Sequence, residues 1–307
     1  MVVVGHPRSG TSLIASRLAA HVGIPLLRET HALVPPTSRP ARLAAIAGVA
    51  SPVRSAELRD RLTAASPAFD CAKHARRASE QVRVQHPSAR SFVELLEGLA
   101  RELGTPAIIE KTPDHASMAD HLLDAGAHVI FVVRDPRDVY TSLAEVPWNS
   151  LSPTRFAVRW QRYAQLARSI ANRPGAIVLR YEDFVVDESA HLQRMSRLLP
   201  PAQSTNTALQ GATLENDVAL GFDPQSEPWK GRVRTPTTAG RIGRWDRGDE
   251  SMLEIEGIAA TNMKAFGYQL SVSAPKGPRA SFDRSLARVQ EQLLQVSWRR
   301  GAMLPPS

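Results

Sequence analysis

The feature that most constrains the fold of this chain is a short glycine loop near the N-terminus, placed between an apolar run and an amphipathic segment. Residues 2–4 are three valines followed by Gly5, and such a β-branched run predicts a buried strand. Apolar side chains then recur at helical spacing over residues 12–22. A strand, a glycine loop and a helix in this order direct backbone N–H groups at an anion on the helix N-terminus.

Later segments continue to alternate between strand and helix. The predicted strands are 24–27, 107–109, 128–133 and 176–179, and the predicted helices are 92–103, 121–125, a long one from 153, 187–199 and 249–266. The run 128–133 is apolar almost throughout, which indicates a central parallel strand covered on both faces. The alternation predicts an α/β fold with a central parallel sheet flanked by helices and a P-loop-like nucleotide-binding layout.

Three stretches define the expected domain organisation. We expect residues 1–270 to form one domain, in which residues 200–248 are mostly loop. Within it, prolines interrupt residues 31–104, which predicts a helical, partly irregular insertion. This insertion is a candidate location for an acceptor site. Residues 271–307 read as a linker followed by a basic amphipathic helix, a candidate for self-association or for holding an anionic ligand.

Composition narrows the class of protein. The 307 residues carry a formal net charge of +8, which favours an anionic partner. Few aromatic residues lie between the basic ones and no nucleic-acid module is recognisable, so we expect no nucleic-acid partner. There is a single cysteine, no apolar run of the roughly 20 residues that span a bilayer, and no signal-peptide pattern. These features predict a cytoplasmic protein without a membrane partner, and the alanine and arginine content suggests a bacterium.

The first loop departs from the nucleoside triphosphatase P-loop at one informative position. In the pattern G-x-x-x-x-G-K-[ST], Gly5 and Gly10 match, but Thr11 stands where the lysine belongs. That lysine holds the β- and γ-phosphates beside Mg²⁺, so its absence disfavours triphosphate hydrolysis while leaving anion binding intact. Arg8 supplies a bidentate cation, and the hydroxyl donors are Ser9, Thr11 and Ser12. The alternative is a turn whose glycines serve packing alone.

A second anion signature follows the strand at 128–133. Arg134 stands at the end of that strand, where side chains face the ligand crevice of an open α/β sheet. Ser142 follows eight residues later, on the next helix. A triphosphatase would place a magnesium-ordering aspartate at such a strand end, whereas an arginine favours an anion site without a metal. The alternative is a surface turn in which Pro136 starts a helix.

The two signatures together resemble those of sulfotransferases that use 3'-phosphoadenosine-5'-phosphosulfate (PAPS). The run from Pro7 to Ser12 is similar to the family's 5'-phosphosulfate loop, and the Arg134–Ser142 pair to its 3'-phosphate motif. The resemblance implies that Arg8 touches the bridging and sulfuryl oxygens. It also implies that the 5'-phosphate is held by Ser9, Gly10, Thr11 and Ser12. PAPS would be the co-substrate and the bisphosphate PAP the product, with no metal required.

A looser match lies near the C-terminus. Residues 241–245 resemble the family's Gly- and Arg-rich loop that folds over the nucleotide. By this resemblance Arg241 and Arg244 reach the 3'-phosphate and Trp245 packs near the adenine. A solvated loop anchored by Trp245 is the alternative.

The reaction needs a base, and three residues are candidates. Glu110 follows the third predicted strand, and the stretch from Glu110 to Thr112 resembles the Glu-Lys-Ser/Thr segment of glycan N-sulfotransferases, in which the glutamate is the base. Lys111 would neutralise charge on the sulfuryl or bridging oxygen. Glu29 ranks second, because tyrosylprotein and some bacterial sulfotransferases carry a catalytic glutamate in that region. His115 ranks third, since other branches use a histidine at a similar place.

Two other functions stay open on the sequence. The first is a P-loop kinase or triphosphatase, which would require Mg²⁺ and ATP. The second is a non-catalytic protein that binds anions or nucleic acid, which would account for the positive charge. For the sulfotransferase hypothesis, a small molecule is the expected acceptor of the sulfuryl group.

Overall fold

The structure is a computed structural model. It describes residues 1–28, 33, 88–102, 104–146, 151–199, 239–245 and 249–271. The candidate base Glu29, most of the expected insertion at 31–104, and the expected linker and terminal helix at 272–307 lie outside the described residues.

A parallel five-stranded sheet forms the centre of the described chain. The strands are β1 (Val2–Gly5), β2 (Leu26–Arg28), β3 (Ile109–Lys111), β4 (Val129–Val133) and β5 (Ala176–Arg180). Their order is β2-β3-β1-β4-β5, with every neighbouring pair parallel. The β-branched and aromatic side chains of β4 are buried on both faces, as a central parallel strand requires. The predicted α/β fold with a central parallel sheet is confirmed.

Eight α-helices are described around the sheet. They are α1 (Thr11–Val22), α2 (Ala89–Glu102), α3 (Ala119–Asp124), α4 (Pro136–Ala144), α5 (Pro153–Ile170), α6 (Tyr181–Val186), α7 (Glu188–Ser196) and α8 (Glu250–Ala265). Two 3₁₀ helices, Pro113–Met118 and Ala239–Arg241, complete the described elements.

Helix starts follow the capping chemistry expected from the sequence. The side chain of Ser152 accepts from the N–H of Arg155, with Pro153 in the first turn of α5. Asp187 caps α7 and Asp249 caps α8 in the same way. These caps satisfy backbone N–H groups that have no partner inside the helix.

The apolar core divides into two layers, one on each face of the sheet. Val3 and Ile130 belong to the layer that includes helices α1 and α7. Val2 and Phe131 belong to the other layer, which contains α2, α5 and α8. Helix α2 falls inside the expected insertion, and its Phe92 is almost fully buried in this second layer. This part of the insertion is therefore core structure.

Candidate active site

The loop between β1 and α1 has the backbone geometry of an anion cradle. Gly10 caps α1 with a φ of 93°, and Arg8 has a φ of 72°. Positive φ values at alternate residues turn successive N–H groups toward one side of a loop. The hydroxyl oxygen of Ser9 is buried and has no hydrogen-bond partner among the described residues. A buried hydroxyl without a partner is costly, and an anion held by the loop would satisfy it.

The structure brings the two predicted anion motifs together. Arg8 Nε donates to Ser142 Oγ at 3.2 Å, although the two residues are 134 positions apart in the chain. Arg134 Nη1 donates to the carbonyl oxygen of Arg8 at 3.3 Å. Arg134 lies at the carboxyl end of β4, directly beside β1. Two guanidinium groups and a hydroxyl thus meet at the edge of the sheet where ligands of α/β folds bind.

Tyr181 supports this arrangement and was not singled out from the sequence. The Arg134 guanidinium stacks over its ring, 4.4 Å from the centroid. The same ring packs so closely on Gly10 that a Cβ there would lie 2.4 Å from it. In the sequence, this residue is marked only by its place two residues after the predicted strand 176–179.

The C-terminal loop 239–245 is held against Arg134 and helix α4, which belong to the predicted 3'-phosphate motif or adjoin it, by several contacts. Asp138 accepts from the N–H groups of Gly243 and Arg244, both at 2.9 Å. Arg134 Nη2 donates to the carbonyl oxygen of Arg241 at 2.6 Å. Glu145 forms ion pairs with the side chains of Arg241 at 3.6 Å and Arg244 at 3.1 Å. The loop therefore lies against the motif that it was expected to complete.

Trp245 packs against the buried side chain of Arg137. Its ring lies under the guanidinium of Arg137, 3.8 Å from the ring centroid. Burial alone would lower the pKa of Arg137, but hydrogen bonds and ion pairs with Asp135 and Glu256 raise it above the ordinary value. Trp245 thus packs on a permanently charged, internally paired arginine.

A cavity of about 410 Å³ lies between this loop and the ends of β4 and β5. One wall carries Glu182, which accepts from the N–H of Asp135 and the hydroxyl of Tyr268, both at 2.9 Å. Burial raises the pKa of Glu182 and of Tyr268. Sequence reasoning missed both residues, because their partners are distant in the chain.

The predicted catalytic segment has its side chains on opposite faces of β3. Glu110 is in register with Val2 and Lys111 with Val3, and successive strand residues point to opposite faces. Both side chains are fully buried. Glu110 accepts from the hydroxyl of Thr112 at 2.5 Å and lies 3.3 Å from His115 Nδ1. The structure thus brings Glu110 and His115 together, and directs Lys111 to the face of the sheet that carries α1.

Another histidine, His6, borders the anion loop and was not predicted. It is buried, its Nδ1 lies 2.7 Å from the carbonyl oxygen of Pro7, and its ring packs edge-on against Tyr163 and Phe156. Burial, aided by the positive charge of Arg159, lowers its pKa to about 3. His6 is therefore neutral at ordinary pH.

Two further observations concern metals and membranes. Among the described residues, no group of three or more His, Cys, Asp or Glu side chains is placed to hold a metal ion. None of the helices in the described ranges is long and apolar enough to cross a bilayer.

Comparison with known proteins identifies the family. A sequence model described as "Sulfotransferase family" matches residues 1–199, about two thirds of the chain. The chain belongs to the sulfotransferase family, which confirms the resemblance found in its motifs. A comparison with curated proteins gives no match.

Similar solved structures also include sulfotransferases. The sulfotransferase domain of the Synechococcus PCC 7002 olefin synthase is 17% identical, with 96% of this chain and 93% of that chain covered and a TM-score of 0.46. The sulfotransferase domain from the curacin biosynthetic pathway is 16% identical, with coverages of 95% and 96% and a TM-score of 0.47. Sulfotransferase STF9 from Mycobacterium avium is 14% identical, with coverages of 89% and 78% and a TM-score of 0.40.

Proposed function

We propose that this sulfotransferase-family chain moves a sulfuryl group from PAPS to a hydroxyl or amine of a small-molecule acceptor. The observation that carries the proposal is the meeting of Arg8, Arg134 and Ser142 at the carboxyl edge of the sheet. A donor with two separate anionic groups needs two cationic sites at a fixed spacing. Family membership gives the reaction class, and these contacts support the choice of donor.

Each anion motif has a proposed role toward one end of the donor. The loop from Ser9 to Ser12 holds the 5'-phosphate with backbone N–H groups and hydroxyls, and Arg8 faces the bridging and sulfuryl oxygens. Arg134 and Ser142 hold the 3'-phosphate, joined by the arginines of the loop 239–245. Arg8 and Lys111 supply the positive charge that the leaving phosphate requires, so the proposal assigns no metal to the reaction.

The proposed chemical step is an in-line displacement at sulfur. The acceptor oxygen or nitrogen forms a bond to sulfur while the bond from sulfur to the 5'-phosphate oxygen breaks, and PAP leaves with that electron pair. The acceptor proton passes to a carboxylate of the protein. Positioning the two reactants and stabilising the departing charge supply the acceleration.

The geometry around β3 bears on the identity of that carboxylate. Glu110 is fully buried and both of its oxygens face donors, on Thr112 and His115. These contacts suit a supporting role, whereas a base needs a path to the acceptor. We therefore propose Glu29 as the base, because it directly follows Arg28, whose strand partner is Lys111.

Substituting the two glutamates separately tests this assignment. We expect Glu29→Gln to lower kcat by about 10²–10⁴-fold and to remove the loss of rate at acidic pH, since an amide cannot take the proton. Glu110→Gln should keep that acidic limb. The measurement is PAP release from PAPS with a panel of phenols and amines, 4-nitrophenol first. An acidic limb that persists in Glu29→Gln and vanishes in Glu110→Gln would restore Glu110 as the base.

Calorimetric titration in EDTA tests the donor site. PAP should bind the wild type in the micromolar range, and Arg134→Ala should weaken binding at least tenfold, because each charge-assisted bond is worth about 1.5–3 kcal/mol. For AMP, which lacks the 3'-phosphate, the same substitution should have little effect. Arg194→Ala removes an exposed arginine from α7 and serves as the charge-matched control.

Two results would contradict the donor assignment. Failure of PAP to bind the wild type would show that the paired motifs serve another anion. Binding of ATP that requires Mg²⁺ would favour the kinase-like alternative.

A further inference from the structure

A buried chain of hydrogen bonds joins the end of β3 to a backbone group far away in sequence. It runs from Thr112 through Glu110 to His115, and from His115 Nε2 to the backbone nitrogen of Leu33 at 3.2 Å. The side chains of Thr112, Glu110 and His115 are fully buried, and Leu33 is buried in the core layer of α2. None of these bonds is explained by the donor site.

The hydrogen-bond donors in this series of bonds determine which nitrogen of His115 carries the ring proton. A backbone N–H can only donate, so His115 Nε2 must accept from Leu33. The remaining ring proton of a neutral imidazole then lies on Nδ1 and points at Glu110 Oε2. Thr112 donates to the other carboxylate oxygen. Glu110 thus selects the one tautomer of His115 that can hold the Leu33 N–H.

The ring of His115 is also held in place by packing. Phe92 of α2 meets it edge-on, with the ring centroids 5.3 Å apart at 80°. An imidazole fixed by two hydrogen bonds and an aromatic neighbour has little freedom to rotate toward a substrate. Its geometry is that of a support.

The hydrogen bond to Leu33 anchors the polypeptide C-terminal to the candidate base Glu29. On the near side, Arg28 of β2 is in register with Lys111 of β3. On the far side, Leu33 is bonded to His115, four residues beyond Lys111. Glu29 lies between these two anchors in the sequence, and both anchors belong to the same stretch, 111–115.

We propose that His115 is a positioning residue, which holds the backbone N–H of Leu33 at the end of β3 and so restrains the stretch of sequence between Arg28 and Leu33 that contains the proposed base. Glu110 and Thr112 serve this docking by fixing the tautomer of His115. The role in transfer rests on the proposed function, whereas the docking itself does not.

Two substitutions at His115 separate docking from simple core packing. His115→Leu fills the space but cannot accept a hydrogen bond. His115→Gln can accept from the Leu33 N–H through its amide oxygen and donate to Glu110 through its amide nitrogen. We expect hydrogen exchange at the Leu33 amide to be at least tenfold faster in His115→Leu and near the wild-type rate in His115→Gln, with exchange in β4 unchanged in both.

The functional readouts are PAP affinity and kcat with 4-nitrophenol as the probe acceptor. We expect His115→Leu to keep the wild-type Kd for PAP and to lose at least tenfold in kcat, since misplacing a catalytic group by about 1 Å can cost 10²-fold. His115→Gln should recover most of that loss. Slow Leu33 exchange in His115→Leu would overturn the proposal, and so would a kcat equal to that of the wild type.

The outcomes distinguish this proposal from the donor assignment. If the wild type does not bind PAP, the donor assignment fails while the exchange data still test the docking. If His115→Leu does not fold, His115→Gln with fast exchange at Leu33 would by itself contradict the docking role.

Discussion

At the scale of single residues, Arg8 combines an uncommon backbone conformation with a proposed functional side chain. Its φ of 72° is the only positive value at a non-glycine residue in the described part of the chain. The left-handed region costs an L-residue about 1–2 kcal/mol. The surrounding bonds to Ser142 and Arg134 over-determine this conformation and offset the cost. Such local strain is typical of ligand-binding loops.

The close contact between Gly10 and Tyr181 leads to a prediction. In Gly10→Ala the new methyl would lie 2.4 Å from the Tyr181 ring, at a φ of 93° that disfavours any side chain. The ring must move, and Arg134 stacks on it, so we expect PAP affinity to fall at least tenfold and the Tm to decrease. Calorimetry and thermal unfolding measure the two effects.

Gly23 provides the matched control for this change. It also has a positive φ, 66°, but no atom lies within 4 Å of a Cβ built there. Gly23→Ala should lose about 1 kcal/mol of stability and keep the wild-type affinity for PAP. Equal affinities in the two variants would mean that the Tyr181 contact does not shape the anion site.

At the scale of elements, the sequence predicted those strands and helix starts that a local residue pattern determines. The apolar run at 128–133 located β4 to within one residue, and Ser152 with Pro153 located the start of α5. The short elements 113–118 and 181–186 were not predicted, because one or two turns of helix give no readable period. Their existence depends on tertiary contacts.

The residues of the candidate site also divide into those that local sequence predicts and those that depend on tertiary contacts. The motifs around Arg8 and Arg134 are local in sequence, so the amino-acid pattern alone was enough to propose these residues. Asp138 could not be proposed in this way, since the N–H groups that it accepts belong to residues more than 100 positions later. Contacts of this kind depend on how the ends of β4 and β5 meet the C-terminal loop.

Asp138 provides the prediction for these elements. Burial raises the pKa of this carboxyl, partly offset by its two backbone donors. Asn can accept only one of the two N–H groups, so Asp138→Asn should loosen the loop 239–245 and weaken PAP binding about tenfold. Asp187→Asn, at the exposed cap of α7, is the control and should bind PAP normally. Normal binding by Asp138→Asn would show that loop docking does not support the nucleotide.

At the scale of the whole molecule, the sheet separates two apolar layers that pack against different parts of the site. The layer of α1 and α7 supports the anion loop, whereas the layer of α2, α5 and α8 contains Phe92 and the buried rings around His6. The site lies at the carboxyl edge where the two layers meet. Loss of packing in either layer would therefore disturb the geometry of the site. For this reason, the unfolding free energy and the PAP affinity should be measured together in every variant.

His6 connects global stability to pH in a predictable direction. Its pKa is about 3 in the folded protein against an ordinary value of 6.5, first because it is buried and then because Arg159 is near. The unfolded chain therefore binds the proton more tightly, so this contribution to stability is complete above pH 6.5 and is lost as the pH falls toward 3. Between pH 6.5 and 4.5 the loss from this one residue is about 2 kcal/mol.

His6→Phe, which keeps an aromatic ring between Phe156 and Tyr163 but cannot be protonated, isolates this contribution. Urea unfolding at pH 6.5 and 4.5 should show a drop in unfolding free energy that is about 2 kcal/mol smaller in the variant than in the wild type. Ser169→Ala, an exposed change on α5, should leave the wild-type drop unaltered. If His6→Phe and the wild type lose the same stability over this range, the pKa of His6 is not lowered in the folded protein and its burial makes no pH-dependent contribution to stability.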